Sequence, residues 1–511
     1  MSSCRIRWHA TAECETSFTS PLLARAWAYA LLERAVQWAC ASAWWLTLLV
    51  LTPSAWAGQE QTDEAPPPES AQEAKTPLQR AFQKAPERVE AISDWMRKQL
   101  EDSPAFIRDT QLIIKPRTYY LDQVTTPATQ TGGEGSATGG GDSTSGAAPK
   151  KASEAWAIGG SLEYISGWLD DHFRVGAEYF GSWPLYSGPN AGSTGLLTSS
   201  GDSYTVLGQA YGQVKYFDQT LTAGRSEYST PYVNRQFNRM TPNTFEGVSL
   251  QGTFAALLRE GQSFDYLVGY LSKIKQRNSD EFIPMSQALG TADQYYGTYM
   301  AQLLFSAWGA SIGLAEYYTE NNLNIVYAEA TWTPKVEGNY GLKVSAQYTQ
   351  ESEVGNGFLE NTSLAGNLGL RGTFSFERSV FTLAYSITGS QGGIVSPWGS
   401  NPSYTDGSLR NGNRANERAS LVSYSYDFKS LGLPGLSTLA LFSYAWDAKD
   451  PTTSQAQPNE YELDLIVDYK VPAGKLKGLW FRLQRNALHD VGDPGATTQW
   501  RAIIYWEVPL I

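Results

Sequence analysis

The stretch "YGLKVSAQYTQE", Tyr340–Glu351, decides the fold. In an extended chain Leu342, Val344, Ala346 and Tyr348 fall on one face, while Lys343, Ser345, Gln347 and Thr349 fall on the other. Such a strand separates an apolar surrounding from water. The same period of two begins at Asp109 with "DTQLIIKPRTYYLD" and runs through "HFRVGAEYFGSW", "GNLGLRGTFSFE" and "ASLVSYSYDF" to the final "WRAIIYWEVPLI". The runs have the length of a tilted membrane strand, roughly 9–11 residues. With weaker runs included, the chain holds about eighteen of them. Short connections ("SAWGAS", "TPKVEGNYG", "SLGLPGLS") take turns with long Gly/Ser/Asn-rich ones, such as Thr125–Ser153 and Gln391–Asn416. Long loops on one rim and tight turns on the other are the habit of an outer-membrane barrel. The expected fold is therefore all-β, a transmembrane antiparallel β-barrel of about eighteen strands over residues 109–511, with a short N-terminal periplasmic helix.

The front of the chain agrees with export. Residues Ala35–Ala57, "AVQWACASAWWLTLLVLTPSAWA", follow Arg34 and close on Ala55-Trp56-Ala57, a small-residue cleavage signature. Residues 1–57 are expected to be a signal peptide, with the start of translation possible downstream of Met1; an uncleaved anchor is the alternative. Cleavage after Ala57 removes all three cysteines, four basic residues and three acidic ones, so the net charge goes from −12 to −12 − (4 − 3) = −13. An exported chain without disulfides needs another source of stability, and barrel closure pairs every backbone group. A soluble β-sandwich or propeller accounts for neither the signal nor the continuous apolar faces. Residues 58–108 are expected to form a polar, Pro-rich linker and an amphipathic helix from Pro77 to Asp102. Leu78, Phe82, Ala85, Val89, Ile92, Met96 and Leu100 make a heptad-like stripe along it. It would join protomers or lie on the protein's own rim. The acidic balance argues against a nucleic-acid partner.

The segment "YLSKIKQRNSDEF", Tyr270–Phe282, puts Lys273, Lys275 and Arg277 on one face of a strand. Near the bilayer midplane each lipid-facing cation costs about 2–4 kcal/mol. The expected direction is therefore the lumen, where the row offers a carboxylate successive stations about 6.8 Å apart. The alternative is a stripe at the extracellular rim that binds lipopolysaccharide. A second candidate is the loop Tyr228–Pro242, expected to fold inward as a constriction. There Tyr232, Arg235, Asn238 and Arg239 offer hydroxyl, amide and guanidinium donors. Packing on the wall against Glu227 or Glu246 is the alternative. Arg371 and Arg482 point inward by alternation. With His9, His172 and His489 as the only histidines and no nucleophile or phosphate-loop motif, neither an enzyme nor a cofactor is expected.

"NRMTPNTFEG" (Asn238–Gly247), "KIKQRNSDEF" and "NRANERASLVSYSYDFKSLGLPGL" (Asn413–Leu436) resemble signatures of the OprD family of bacterial outer-membrane porins, in family order from about Asp109 to Ile511. The resemblance implies an eighteen-stranded channel, monomeric or weakly trimeric, in the outer membrane of a Gram-negative bacterium. Such a channel takes up small water-soluble solutes, usually carboxylates, past an inward third loop and a ladder of basic residues. It adds Arg117, in "RTYY", as a first-strand arginine of that ladder, whereas Ser423 stands where relatives often place an arginine. The functional expectation is passive, selective uptake of carboxylate-bearing solutes. A general diffusion porin and a plugged surface-binding barrel are the alternatives.

Overall fold

A computed structural model describes residues 91–126, 151–254, 259–291, 294–355, 365–492 and 495–511. The expected signal peptide, the linker and most of the expected 77–102 helix lie outside these residues. Within them, residues 91–100 are helical and a one-turn helix, α1, spans Ala105–Arg108. The Phe106 ring stacks on Phe173 at 6.4 Å, and its carbonyl accepts from Gly167 N, which ties α1 to the first turn of the sheet.

The first half of the wall comprises β1 Gln111–Thr126, β2 Lys151–Ile165, β3 Phe173–Ser187, β4 Tyr204–Tyr216, β5 Gln219–Ser226, β6 Thr244–Thr253 and β7 Gln262–Lys275. A short strand β8, Phe282–Pro284, lies on the end of β7. The wall continues with β9 Thr298–Ala307, β10 Ala310–Thr319, β11 Leu323–Trp332, β12 Tyr340–Glu353, β13 Ala365–Phe376 and β14 Ser379–Thr388. It ends with β15 Arg418–Asp427, β16 Leu436–Trp446, β17 Glu460–Lys470, β18 Trp480–Asp490 and β19 Ala496–Tyr505, followed by the two-residue β20, Val508–Pro509. Setting aside β8 and β20, the described residues form eighteen wall strands, each antiparallel to its neighbours. The ladder closes when β1 pairs with β19, Arg117 opposite Tyr505 and Thr126 opposite Ala496, so no edge is left unpaired.

The period-two pattern explains the wall. Leu368, Leu370, Val422, Leu463, Leu465, Val467 and Leu483 all point outward and stay exposed, as lipid-facing side chains do in an isolated chain. Their strand neighbours Asn367, Asp464, Gln484 and Asn486 face inward and are buried. Tight turns close one rim. At residues 308–309 both Trp308 (φ 52°) and Gly309 (φ 77°) are left-handed, as a two-residue type I′ hairpin requires. The opposite rim carries the long loops, among them 227–243, 276–297 and 389–417. These loops fold back inside, and the main buried apolar clusters form where they meet the wall.

Candidate channel constriction

The 227–243 loop crosses the lumen, pinned at both ends of its path. On one side the buried Tyr232 donates its hydroxyl to Thr349 Oγ1 of β12 at 2.9 Å and packs edge-on against Tyr317 of β10 and Tyr327 of β11. On the other side Tyr119 of β1 donates to the Asn238 carbonyl at 3.3 Å, and Phe237 meets the Tyr505 ring of β19. Tyr232 is thus an anchor of the loop and not a lumen donor. Arg235 and Asn238 stay exposed at the crossing. Arg235 pairs with Glu227 at 3.2 Å, and burial pushes that carboxyl up to about 7 against the pull of Arg235. Arg239 donates to the Thr194 and Asn238 carbonyls, and Arg277 to the Asn238 side chain. Burial lowers the pKa of both guanidinium groups, and Arg501 depresses each one further.

Arg117 faces the same space from β1. It is buried in a cage of Phe237 (4.3 Å), Tyr119 (5.5 Å) and Tyr505 (5.6 Å), and its Nε has no hydrogen-bond partner. The aromatic faces hold the cation without neutralising it. Two further inward cations are paired: Arg371 with Glu329 at 3.8 Å, its guanidinium 4.0 Å over Tyr404, and Arg482 with Asp468 through two bonds of 2.8 Å. Sequence reasoning passed over Lys115, two residues before Arg117 and on the same face, where it bridges Glu163 and Glu178. Arg501, on β19, was also missed. Alternation from Arg117 marked the first, but no motif marked the second.

The expected inward row of Lys273, Lys275 and Arg277 is not formed. Glu246 of β6 lies opposite Lys273 and Gly247 lies opposite Leu271, so Ser272 is an extra residue in β7. A bulge of this kind reverses which face the following residues take. Leu271 and Ile274 therefore both point inward to the apolar cluster behind the loop. Lys273 lies beside Glu246 on the outer face, the face of Val248 and Tyr270. Lys275 is fully buried at the strand end, donating to Thr241 Oγ1 at 2.9 Å over the Phe180 ring. Only Arg277, beyond the strand, joins the constriction.

A second loop, 389–417, completes the narrowing from the other side. Leu409 N and Arg410 N donate to the two oxygens of Glu462 on β17 at 2.7 and 2.8 Å, and Ser408 N to Asp464 at 3.0 Å. Arg501 donates to the Ser408 carbonyl at 3.2 Å. The two loops touch where Asn234 and Ser400 exchange hydrogen bonds. The length of this loop was legible in the sequence; its inward course was not, because backbone donors carry no side-chain signature. Below the 227–243 loop opens a chamber of about 600 Å³ lined by Gln209, Gln213, Gln251, Gln302, Tyr211 and Asp265 among others, with no Lys or Arg in its lining.

Among the described residues no cluster of His, Cys, Asp and Glu fits a metal ion. The comparisons agree with the geometry. The family model described as outer membrane porin, OprD family, matches residues 104–508. The fold is similar to Pseudomonas aeruginosa OccK9 (OpdG), at TM-score 0.65 and 22% identity over 80% of this chain and all of that one. It is equally similar to P. aeruginosa OpdK with vanillate, at TM-score 0.65 and 20% identity over 79% of this chain and all of that one. The Escherichia coli (strain K12) chitoporin is 27% identical over 241 residues, 43% of this chain and 45% of the relative, so the match spans less than half of that protein's length. A barrel of this strand number with an in-folded third loop, matched by the family model over most of its length, leaves one assignment: the chain belongs to the OprD family of outer-membrane porins.

Proposed function

We propose that this porin passively and selectively takes up small water-soluble solutes bearing a carboxylate, with the crossing of the two loops as its selective element. The observation that carries this reading is the placement of Arg117, Arg239 and Arg277 around the 227–243 loop with no carboxylate bonded to any of them among the described residues. Their charge is left for the permeant anion, and a guanidinium fork suits a carboxylate. Arg235 adds a cation whose partner, Glu227, titrates near neutrality. Arg371 and Arg482, paired to Glu329 and Asp468, supply a weaker continuation of the path on the wall. Because β1 closes on β19 within one chain, each protomer conducts by itself, as a monomer or within a trimer.

A second reading is a neutral, hydroxyl-rich solute. It is favoured by the chamber, whose lining joins amides and hydroxyls to the carboxylates of Asp218, Glu227 and Asp265 and holds no cation, and by the relative named chitoporin. Planar-bilayer recording separates the two. On the carboxylate reading a salt gradient gives an anion-selective reversal potential that collapses in Arg117→Ala, and millimolar carboxylate saturates the current. Saturation by a neutral oligosaccharide, with selectivity unmoved in Arg117→Ala, would favour the second. A current that no solute saturates would leave a general diffusion porin.

A further inference from the structure

Lys273, the cation that the bulge turns outward, belongs to a group of its own. Arg225 of β5, Glu246 of β6 and Lys273 of β7 are successive cross-strand partners. They lie on the face that Leu221, Val248 and Tyr270 present to lipid. Arg225 Nε donates to Glu246 Oε2 at 2.9 Å, and its guanidinium sits 4.2 Å over the Phe282 ring. Lys273 stands 4.0 Å from the other Glu246 oxygen, too far for a hydrogen bond, with its side chain 44% exposed. One carboxylate thus faces two cations, and the group keeps a net positive charge. The Tyr270 and Tyr299 rings, 4.9 Å apart, lie just beneath it on the same face. Paired aromatic rings at this position mark the headgroup level of a barrel. The cations therefore stand at the loop-side membrane surface, where lipid phosphates are within reach.

We propose that Arg225 and Lys273 dock a phosphate of an anionic lipid in the loop-side leaflet, with Glu246 spacing the two cations and Phe282 holding the guanidinium. The site is independent of which solute the channel carries. The test is native mass spectrometry of the purified chain titrated with bis-phosphorylated lipid A, with the same lipid after dephosphorylation, and with inorganic phosphate. Removing both cations in Arg225→Gln/Lys273→Gln is expected to weaken lipid A retention roughly thirty-fold. Removing the competing carboxylate in Glu246→Gln, a variant that keeps both cations, is expected to tighten it. Arg378→Gln, which removes a cation paired with Asp427 at the turn-side rim, is expected to leave it unchanged. The proposal is overturned by unchanged retention in both the double variant and Glu246→Gln. It is equally overturned by equal retention of the dephosphorylated lipid, or by inorganic phosphate that displaces lipid A. A double variant that loses self-association with lipid retention intact would show instead that a second copy covers this face.

Discussion

The wall behaves differently on its two halves. From β12 through β18 the ladder pairs without a register shift, and side-chain direction follows parity: Arg371 and Arg482 point inward as their neighbours Leu370 and Leu483 point outward. From β2 through β7 there are three shifts, opposite Trp156/Ala157, Glu178/Tyr179 and Glu246/Gly247. There β5 is only eight residues long, and the constriction loop leaves from its end. Parity is a reliable compass in the regular half and misleads in the bulged half. The β7 bulge lies where the 227–243 loop joins β6, and it re-aims the strand end there.

The comparison can be pressed at the loop's anchors, and the largest effect is expected in the bulged half. Tyr232→Ala removes a buried ring and the bond to Thr349, a truncation that costs roughly 3–5 kcal/mol in packed cores. With the loop released, single-channel conductance should rise and anion selectivity should fall, both measurable in bilayers. A smaller effect is expected where the second loop meets the regular half. Glu462→Gln replaces one of the two oxygens that accept from Leu409 N and Arg410 N by an amide donor, at a cost of about 1–3 kcal/mol for the backbone group left unpaired. Open-channel current should then become noisier with little change in mean selectivity. Noise equal to the parent would mean that the loop is held elsewhere.

The smallest effect is a pH dependence. The folded Glu227 titrates near 7 against an ordinary value of 4.5, so between those values the folded chain keeps a proton that the unfolded chain releases. Its contribution to stability therefore grows as pH falls through that window and is lost as pH rises through 7. Protonation also frees Arg235 from its partner, so anion preference should increase on acidification from pH 8 to 5. Glu227→Gln should flatten that change. A pH response surviving in Glu227→Gln would assign it to another group.

These contrasts show what the sequence makes legible. The barrel, its strand count and its alternating loop lengths follow from a two-residue period, which survives a bulge at the level of the whole fold, whereas the inward course of the third loop was implied by the resemblance to the OprD family. The facing of an individual residue does not survive a bulge, because one added residue, Ser272, turns Ile274 inward and Lys273 outward. The candidate loop was legible because Arg235, Asn238 and Arg239 lie between two clear strands. The inward course of the 389–417 loop was illegible, since its hold on β17 comes from backbone N–H groups that any sequence supplies. Glu462 and Asp464 alternate with the exposed Leu463 and Leu465 and so face inward, but nothing nearby in the chain names their partners.

The path is expected to narrow at the 227–243 loop, with Lys273 of β7 facing away from it. Single cysteines placed in a background lacking Cys4, Cys14 and Cys40 test it directly, with a bulky charged thiol reagent added during bilayer recording. Modification of Arg235→Cys is expected to cut the open-channel current sharply, while modification of Lys273→Cys leaves it unchanged. Block through Lys273→Cys, with Arg235→Cys silent, would place Lys273 in the lumen and the narrowing away from the 227–243 loop.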